Sequence, residues 1–367
     1  MTIYWIFFFC VSVLALRYSN ANPPYLRLSG YRTHILDSAS LFLIFIVGFR
    51  YQVGGDWSAY ASLVEHFEGR PLSAIKTYEV GYAFFSWLGA NLIGGVFLPN
   101  LICALIFVLG LRKFCLELPN PFLAMTVAVP YLVWVVAQGY TKQSAAIGCF
   151  LFASAAIQAN QTKNYLLTTV LGVLFHKTSV ILVPFGLLLQ SRKFSKTNLI
   201  WFLVICVVLL LVFYLFFLEN MWSLSRYYLT DRYKSAGAEV RLIMTGVSGL
   251  FFLMFARYFR VTLIQERFWK IFSLGAVVLA CLVWVLPYST ILDRLGLYWF
   301  PVQIFVLGQL PYIFSTKKGD SRKLIIVFIV LLSSLIQWIW FFYGNSVDYW
   351  LPYRFYPWEL LWQSTGG

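Results

Sequence analysis

The stretch "FHKTSVILVP" at 175–184 sets His176, Lys177, Thr178 and Ser179 in a row inside a long apolar segment. A neutral imidazole can accept a proton near physiological pH. A lysine beside the free amides of a helix N-terminus can hold an anion. If the chain turns at 176–177, Thr178 or Ser179 caps the following helix, and Lys177 adds a point charge to that anion site. Pro184 then kinks the following helix. The competing account makes His176 a cap for the carbonyls of the preceding helix. Both accounts stay open at this level.

Four further stretches carry similar chemistry. "FRYQVGGDWSAY" (49–60) places Arg50 at the end of an apolar run, Gly54 and Gly55 at a tight turn, and Asp56 after it. Asp56 is a candidate base or hydroxyl contact, and equally a helix cap. Tyr51 and Trp57 offer flat faces suited to sugar rings, although aromatic belts are normal at a membrane surface. "YEVGYAFFSWLG" (78–89) begins with Glu79, which is either a hydroxyl acceptor or an ordinary first-turn carboxylate. "AQGYTKQSAAIG" (137–148) puts Tyr140, Lys142 and Gln143 where one helix ends and the next begins, with Lys142 placed to bind phosphate. "RYYLTDRY" (226–233) and "LDRLGLYW" (292–299) add Arg226, Arg232 and Arg294, with Tyr298 one turn beyond. Arginine grips phosphate through two parallel N–H bonds, which suits a diphosphate. No Walker loop, HExxH or DxD motif occurs, so neither a metal nor another cofactor is expected.

The elements that must position these residues are membrane helices. The chain has 367 residues, of which 60% are hydrophobic and only 11% charged. Its mean hydropathy is +0.76. Soluble domains carry roughly 25% charged residues. Repeated apolar runs long enough to cross a bilayer imply an all-α, polytopic transmembrane helical bundle of about 11–13 spans. The spans fall near 2–16, 35–50, 97–111, 121–138, 143–158, 165–175, 178–191, 198–218, 241–256, 271–288, 295–314 and 324–343. Ser144, Ala145, Gly148 and Cys149 give one of them a small-residue face for close helix approach. The net charge of +14 invites a nucleic-acid reading, but most of the basic residues fall in loops on one side. That is the cytoplasmic side by the positive-inside rule, and no nucleic acid is expected. The remaining cations, Arg50 to Arg354, then lie toward the outer face and suggest an anionic ligand approached from outside. The topology also makes 79–95 a re-entrant or interfacial helix and forces a break at 176–177. A single membrane domain, 1–367, results. Its outer segments are 51–96 with that helix, 219–240 and a C-terminal tail, 344–367. Five of the six cysteines sit in apolar runs, and no disulfide is expected.

Taken in order, "FRYQVGGDW", "YEVGY", "GYTKQSAAIG", "FHKTSVILVP" and "DRLGLYWFP" resemble the EpsG family of Wzy-type polymerases of O-antigen, capsule and exopolysaccharide, over residues 40–315. The resemblance implies a multi-pass glycosyltransferase of the bacterial inner membrane with its active site facing the periplasm. It implies transfer of a growing glycan from undecaprenyl diphosphate to the non-reducing end of another lipid-linked repeat unit, metal-independent and inverting. Donor and acceptor would both be undecaprenyl-diphosphate-linked oligosaccharides, with a chain-length regulator as a further partner. In that scheme His176 is the first candidate base, followed by Asp56 and Glu79. Arg50, Lys142, Lys177, Arg226, Arg232 and Arg294 stabilise the diphosphate, and Tyr51, Trp57, Tyr140, Gln143 and Tyr298 contact sugar. A lipid-linked oligosaccharide flippase and an O-antigen ligase are the alternative readings.

Overall fold

The computed structural model describes residues 1–19, 30–158, 161–189, 235–285, 289–313 and 319–364. The regular elements among these residues are all helices, and the only extended pairing among them is an isolated antiparallel bridge between Arg50 and Phe355. Four helices are long and apolar enough to cross a membrane: Phe97–Leu116, Ala238–Tyr258, Leu263–Val285 and Ser321–Tyr343. Ser289–Gly296 and Phe300–Ile313 pass the same test as a pair bent by 50°. Shorter apolar helices include Thr2–Arg17, Thr33–Gly48 and Pro121–Ala137. The chain is an all-α polytopic membrane protein. The expected span 198–218 lies outside the described residues.

The chain divides into two compact units. The first comprises 1–152, 171–177 and 307–367. Its centre is the segment that runs from α6 (Pro121–Ala128) into a wide π-helical stretch, Val129–Ala137, in which every residue is buried. A helix that is apolar on all faces has no face to give to solvent, and this one is packed on all sides. Asn120 starts it: the side-chain oxygen accepts from the Leu123 amide at 3.1 Å, and Pro121 occupies the first turn. The same side chain donates to the Ala15 carbonyl at 2.8 Å, tying down the end of α1 (Thr2–Arg17). Pro130 brings no amide to the helical ladder, and the change from α to π winding falls beside it.

The unit also holds α2 (Gly30–Gly48), α3 (Trp57–Phe67), α4 (Val80–Asn91), α5 (Phe97–Leu116), the start of α7 (Thr141–Gln158) and the last turn of α8 (Thr162–Phe175), of which α5 packs on this centre together with α1. With 12 residues, α4 is about 18 Å long. That is short of the roughly 30 Å of bilayer hydrocarbon. The crossing of α5 and α7 is very close. A Cβ on Gly148 would come within 2.5 Å of the Phe107 Cα, and one on Gly110 within 2.2 Å of the Gly148 carbonyl oxygen.

The C-terminal segment of this unit is woven into the fold. The Tyr51 amide donates to the Arg354 carbonyl (3.0 Å), Tyr356 to Phe49 (2.9 Å) and Gly54 to Tyr349 (2.7 Å). The Trp350 indole donates to the Trp134 carbonyl at 2.8 Å and lies so close to Gly139 that a Cβ there would meet the ring at 2.5 Å. Gly54 has φ +104°, and a Cβ would stand 2.1 Å from the Gln138 carbonyl oxygen, so only glycine fits that turn.

The second unit, 153–170 with 178–306, packs around aromatic rings. Trp269 stacks on Phe305 with centroids 4.1 Å apart, and Phe272 on Trp299 at 5.0 Å. The break at His176 is present: α8 ends at Phe175 and a 3-10 helix begins at Lys177. The expected capped α-helix does not follow. Residues Lys177–Leu182 are 3-10, and α9 (Val183–Leu189) begins only at Val183. Pro184 occupies the second position of α9, in the first turn, where its missing amide costs no helical bond. Thr178 hydrogen-bonds the Tyr298 hydroxyl at 3.0 Å, and the buried Ser179 hydroxyl has no partner. The turn that opens at Lys177 is 3-10 and not the α-helix N-terminus expected there.

Enlarging the α5–α7 contact should be costly. Gly148→Leu is expected to destabilise the protein by about 3 kcal/mol or to prevent its folding. Gly148→Ala should cost less, and a thermal melt in detergent reads both.

Candidate active site

Glu79 is the hub of the first unit's polar cluster. It occupies the cap position of α4 in extended backbone, and its side chain makes no capping bond. Instead Oε1 accepts from His176 Nδ1 at 2.8 Å and Oε2 accepts from Lys142 Nζ at 2.6 Å. His176 Nδ1 must carry its proton in this bond, because an ionised carboxylate only accepts. His176 therefore does not cap the carbonyls of α8. The contact is enforced by close packing: a Cβ on Gly81 would reach within 2.9 Å of the Leu174 carbonyl oxygen, which holds α4 against the end of α8. Lys142 sits in the first turn of α7, and its ammonium also lies 5.8 Å from the Tyr82 ring centre.

Beneath the cluster is Arg50, whose side chain is fully buried. Nη1 donates to the Val47 carbonyl (2.6 Å), Nε to Val53 (3.0 Å), and Nη2 to the Thr141 hydroxyl (2.6 Å) and, more weakly, to Asn100 (3.4 Å). Its guanidinium carbon is 5.7 Å from the Trp57 ring centre, a cation–π distance. No carboxylate pairs with it among the described residues. Two buried polar atoms in these same helices lack partners, Asn100 Nδ2 and the Tyr82 hydroxyl.

The other expected residues are distributed as follows. Asp56 precedes α3, is half-buried, and makes no side-chain capping bond. Tyr51 and Trp57 are half-buried, with ring centres 6.0 Å apart. Tyr140 is half-buried and Gln143 is buried. Lys177 is exposed at the start of its 3-10 turn. In the second unit Arg294 is exposed, while Tyr298 is fully buried, so its ring has no open face to offer a sugar. Asp293 is taken by Arg241 in a two-pronged pair of 2.9 and 2.6 Å, not by its neighbour Arg294. Arg226 and Arg232 lie outside the described residues. Sequence reasoning missed Asn100 and Thr141. Asn100 left a signal, a lone amide within the apolar run "FLPNLICALIF"; Thr141 left none.

Chemically, the arrangement is a carboxylate orienting an imidazole, with an ammonium on its other oxygen. Burial pushes the Glu79 carboxyl upward, but the His176 hydrogen bond and the Lys142 charge outweigh it and hold the group at about 2, below its ordinary 4.5. Glu79 is thus a firm carboxylate at neutral pH and a poor base. A depressed carboxyl contributes stability that is complete above its unfolded value and lost as pH falls. Stability should therefore drop between about pH 4.5 and about pH 2, and Glu79→Gln should remove that part of the loss. Thermal melts of both proteins across that range check it.

The model of the EpsG family matches residues 38–355. No curated protein and no solved structure matches the chain at a significant level. The match takes in Arg50, Glu79, Lys142 and His176, and most of the C-terminal segment that pairs with the Arg50 loop. The chain belongs to the EpsG family, the Wzy-type exopolysaccharide polymerase-like proteins, and its role is polymerase-like within polysaccharide biosynthesis.

Proposed function

We propose that the protein is a glycosyltransferase that joins lipid-linked oligosaccharide repeat units, with His176 as the general base. The observation that carries this reading is the Glu79 carboxylate held between His176 Nδ1 and Lys142 Nζ. With Nδ1–H bonded to Glu79, Nε2 is the nitrogen left to accept a proton. In the reaction the acceptor hydroxyl oxygen attacks the anomeric carbon of the donor glycan. The bond from that carbon to the undecaprenyl diphosphate breaks, the hydroxyl proton passes to Nε2, and the lipid diphosphate leaves with the bonding pair. Attack opposite the leaving group inverts the anomeric centre.

The roles of the cations change accordingly. Lys142 serves the carboxylate: it helps keep Glu79 ionised and fixes its second oxygen. Arg50 acts from behind, holding Thr141, and so Lys142, in place. For the leaving diphosphate Lys177, the residue after the base, comes first. Arg226, Arg232 and Arg294 stay candidates on their charge. Asp56 remains a candidate for an acceptor hydroxyl. In this reading the site faces the periplasm from the bacterial inner membrane, and both substrates are carried on undecaprenyl diphosphate.

Purified protein supplied with lipid-linked repeat units should produce a ladder of polymer. His176→Gln, whose amide can still donate to Glu79, should lower kcat by at least about 100-fold while membrane insertion is kept and the melting temperature falls only slightly. Glu79→Gln should lower kcat as well, since it removes the charge that stabilises the protonated imidazole. Normal ladders from His176→Gln would remove it as the base. Movement of the substrate between leaflets without any ladder would mark a flippase, and transfer only to a lipid A core acceptor a ligase.

A further inference from the structure

The C-terminal segment does more than close the fold. Tyr356 stacks on Phe97 with ring centres 3.8 Å apart and an interplanar angle of 24°. Tyr51 lies 6.1 Å from Tyr356 and 6.5 Å from Phe97, and Trp57 lies 5.9 Å from Phe97. All four rings are half-buried, so each is held by its neighbours and still reaches the surface. Trp57 in turn sits on the buried Arg50 guanidinium, whose other side holds Thr141 beside Lys142. The ring cluster is thereby joined through direct contacts to the Glu79 and His176 site.

Its polar rim is specific. Gln52 is the one non-glycine residue with positive φ among the described residues, at 53°. Such strain persists only where the surroundings over-determine the backbone, and it concentrates at functional sites. Here the over-determination comes from the C-terminal segment: the amides on either side of Gln52, those of Tyr51 and Gly54, are bonded to the carbonyls of Arg354 and Tyr349. The strained backbone presents an exposed side chain whose Oε1 accepts from Arg354 Nη1 at 2.6 Å. The amide nitrogen is left with a long 3.4 Å contact to the Tyr51 hydroxyl. Arg354 is exposed, 5.9 Å from the Tyr51 ring centre, with Glu359 3.6 Å away.

We infer that Tyr51, Trp57, Phe97 and Tyr356, rimmed by Gln52 and Arg354, form a carbohydrate subsite that takes a pyranose ring of the lipid-linked glycan. Flat aromatic faces meet the axial C–H face of a sugar. An amide, a guanidinium and a carboxylate at the edge supply the mixed donors and acceptors that hydroxyl groups need. A ring that only anchors the protein in lipid would not need a strained, exposed glutamine beside it. The subsite deepens the glycosyltransferase reading and rests on it for the identity of the glycan.

The test uses the full chain in detergent, with two probes: intact lipid-linked repeat units, and the free oligosaccharide released from them by mild acid. Tyr356→Leu keeps an apolar side chain but not the flat face, and should raise KM roughly three- to tenfold and weaken free-oligosaccharide binding by a similar factor. Tyr356→Phe should restore both. Gln52→Gly removes the amide and relieves the backbone, so it should weaken binding while the melting temperature holds or rises. A purely structural role predicts that binding follows stability, and that outcome overturns the subsite. So does unchanged binding in Tyr356→Leu and Gln52→Gly. Equal defects in Tyr356→Leu and Tyr356→Phe, seen only as lost membrane retention, would assign the rings to lipid and overturn it too. If the protein makes no polymer but binds the free oligosaccharide through Tyr356, the subsite stands and the polymerase reading falls.

Discussion

Much of the first unit depends on one buried charge. Taking a guanidinium out of water costs several kcal/mol unless its donors are satisfied. Arg50 meets that requirement with two main-chain carbonyls, a hydroxyl and an amide oxygen, and with no carboxylate among the described residues. Each acceptor belongs to a different piece: the end of α2, the loop after it, the start of α7 and α5. The fork can be satisfied only if all four are in place at once. A lysine has the charge but not the planar spread of five donors, so it could not tie the same pieces together. Arg50 also fixes the path of the chain from Phe49 to Tyr51, which is the edge that the C-terminal segment bonds.

The Glu79 cluster inherits its geometry from that arrangement. Thr141 is held by Arg50, and Lys142 is the next residue, so the ammonium is delivered to the carboxylate by the same bond that buries the arginine. Electrostatically the cluster is balanced. With His176 neutral, one carboxylate faces one ammonium. In the proposed reaction the imidazole gains a proton and the cluster gains a unit of positive charge as the diphosphate gains negative charge. Fixed groups whose charge grows in step with the leaving group favour the transition state over the ground state.

The helical bundle was legible in the sequence because apolar runs of membrane length have few other uses. The break at His176 was legible for a related reason: four polar residues within an apolar segment call for an interruption. What followed the break was not, because 3-10 and α winding differ by one hydrogen-bond step that an apolar pattern does not record. The polar pairings were harder still. Glu79, Lys142 and His176 each stood out as candidates, but separations of 63 and 97 residues hide that they form a single cluster. The inward turn of Arg50 left no trace in the sequence. A cation at the end of an apolar run looks the same in sequence whether it turns outward to a ligand or inward to carbonyls. The C-terminal segment read as a tail because its bonds run to main-chain groups, which leave no residue-type signature.

The four charged or titratable residues of the site share one property that explains how a membrane fold can carry them. Arg50 follows α2, Glu79 precedes α4, Lys142 opens α7 and His176 follows α8. None is in the middle of a long apolar helix, where an ionised side chain is most expensive. At helix ends the backbone already has unpaired amides and carbonyls that need partners, so polar side chains placed there settle two requirements together. Arg50 takes the Val47 and Val53 carbonyls in this way, and the C-terminal segment takes the carbonyl of Phe49 and the amides of Tyr51 and Gly54. The site is therefore assembled from terminations, while the helix interiors supply close packing such as that of Gly110 on Gly148. This division lets the termini carry charge and hydrogen bonding without placing an unpaired ion in the apolar middle of the bundle.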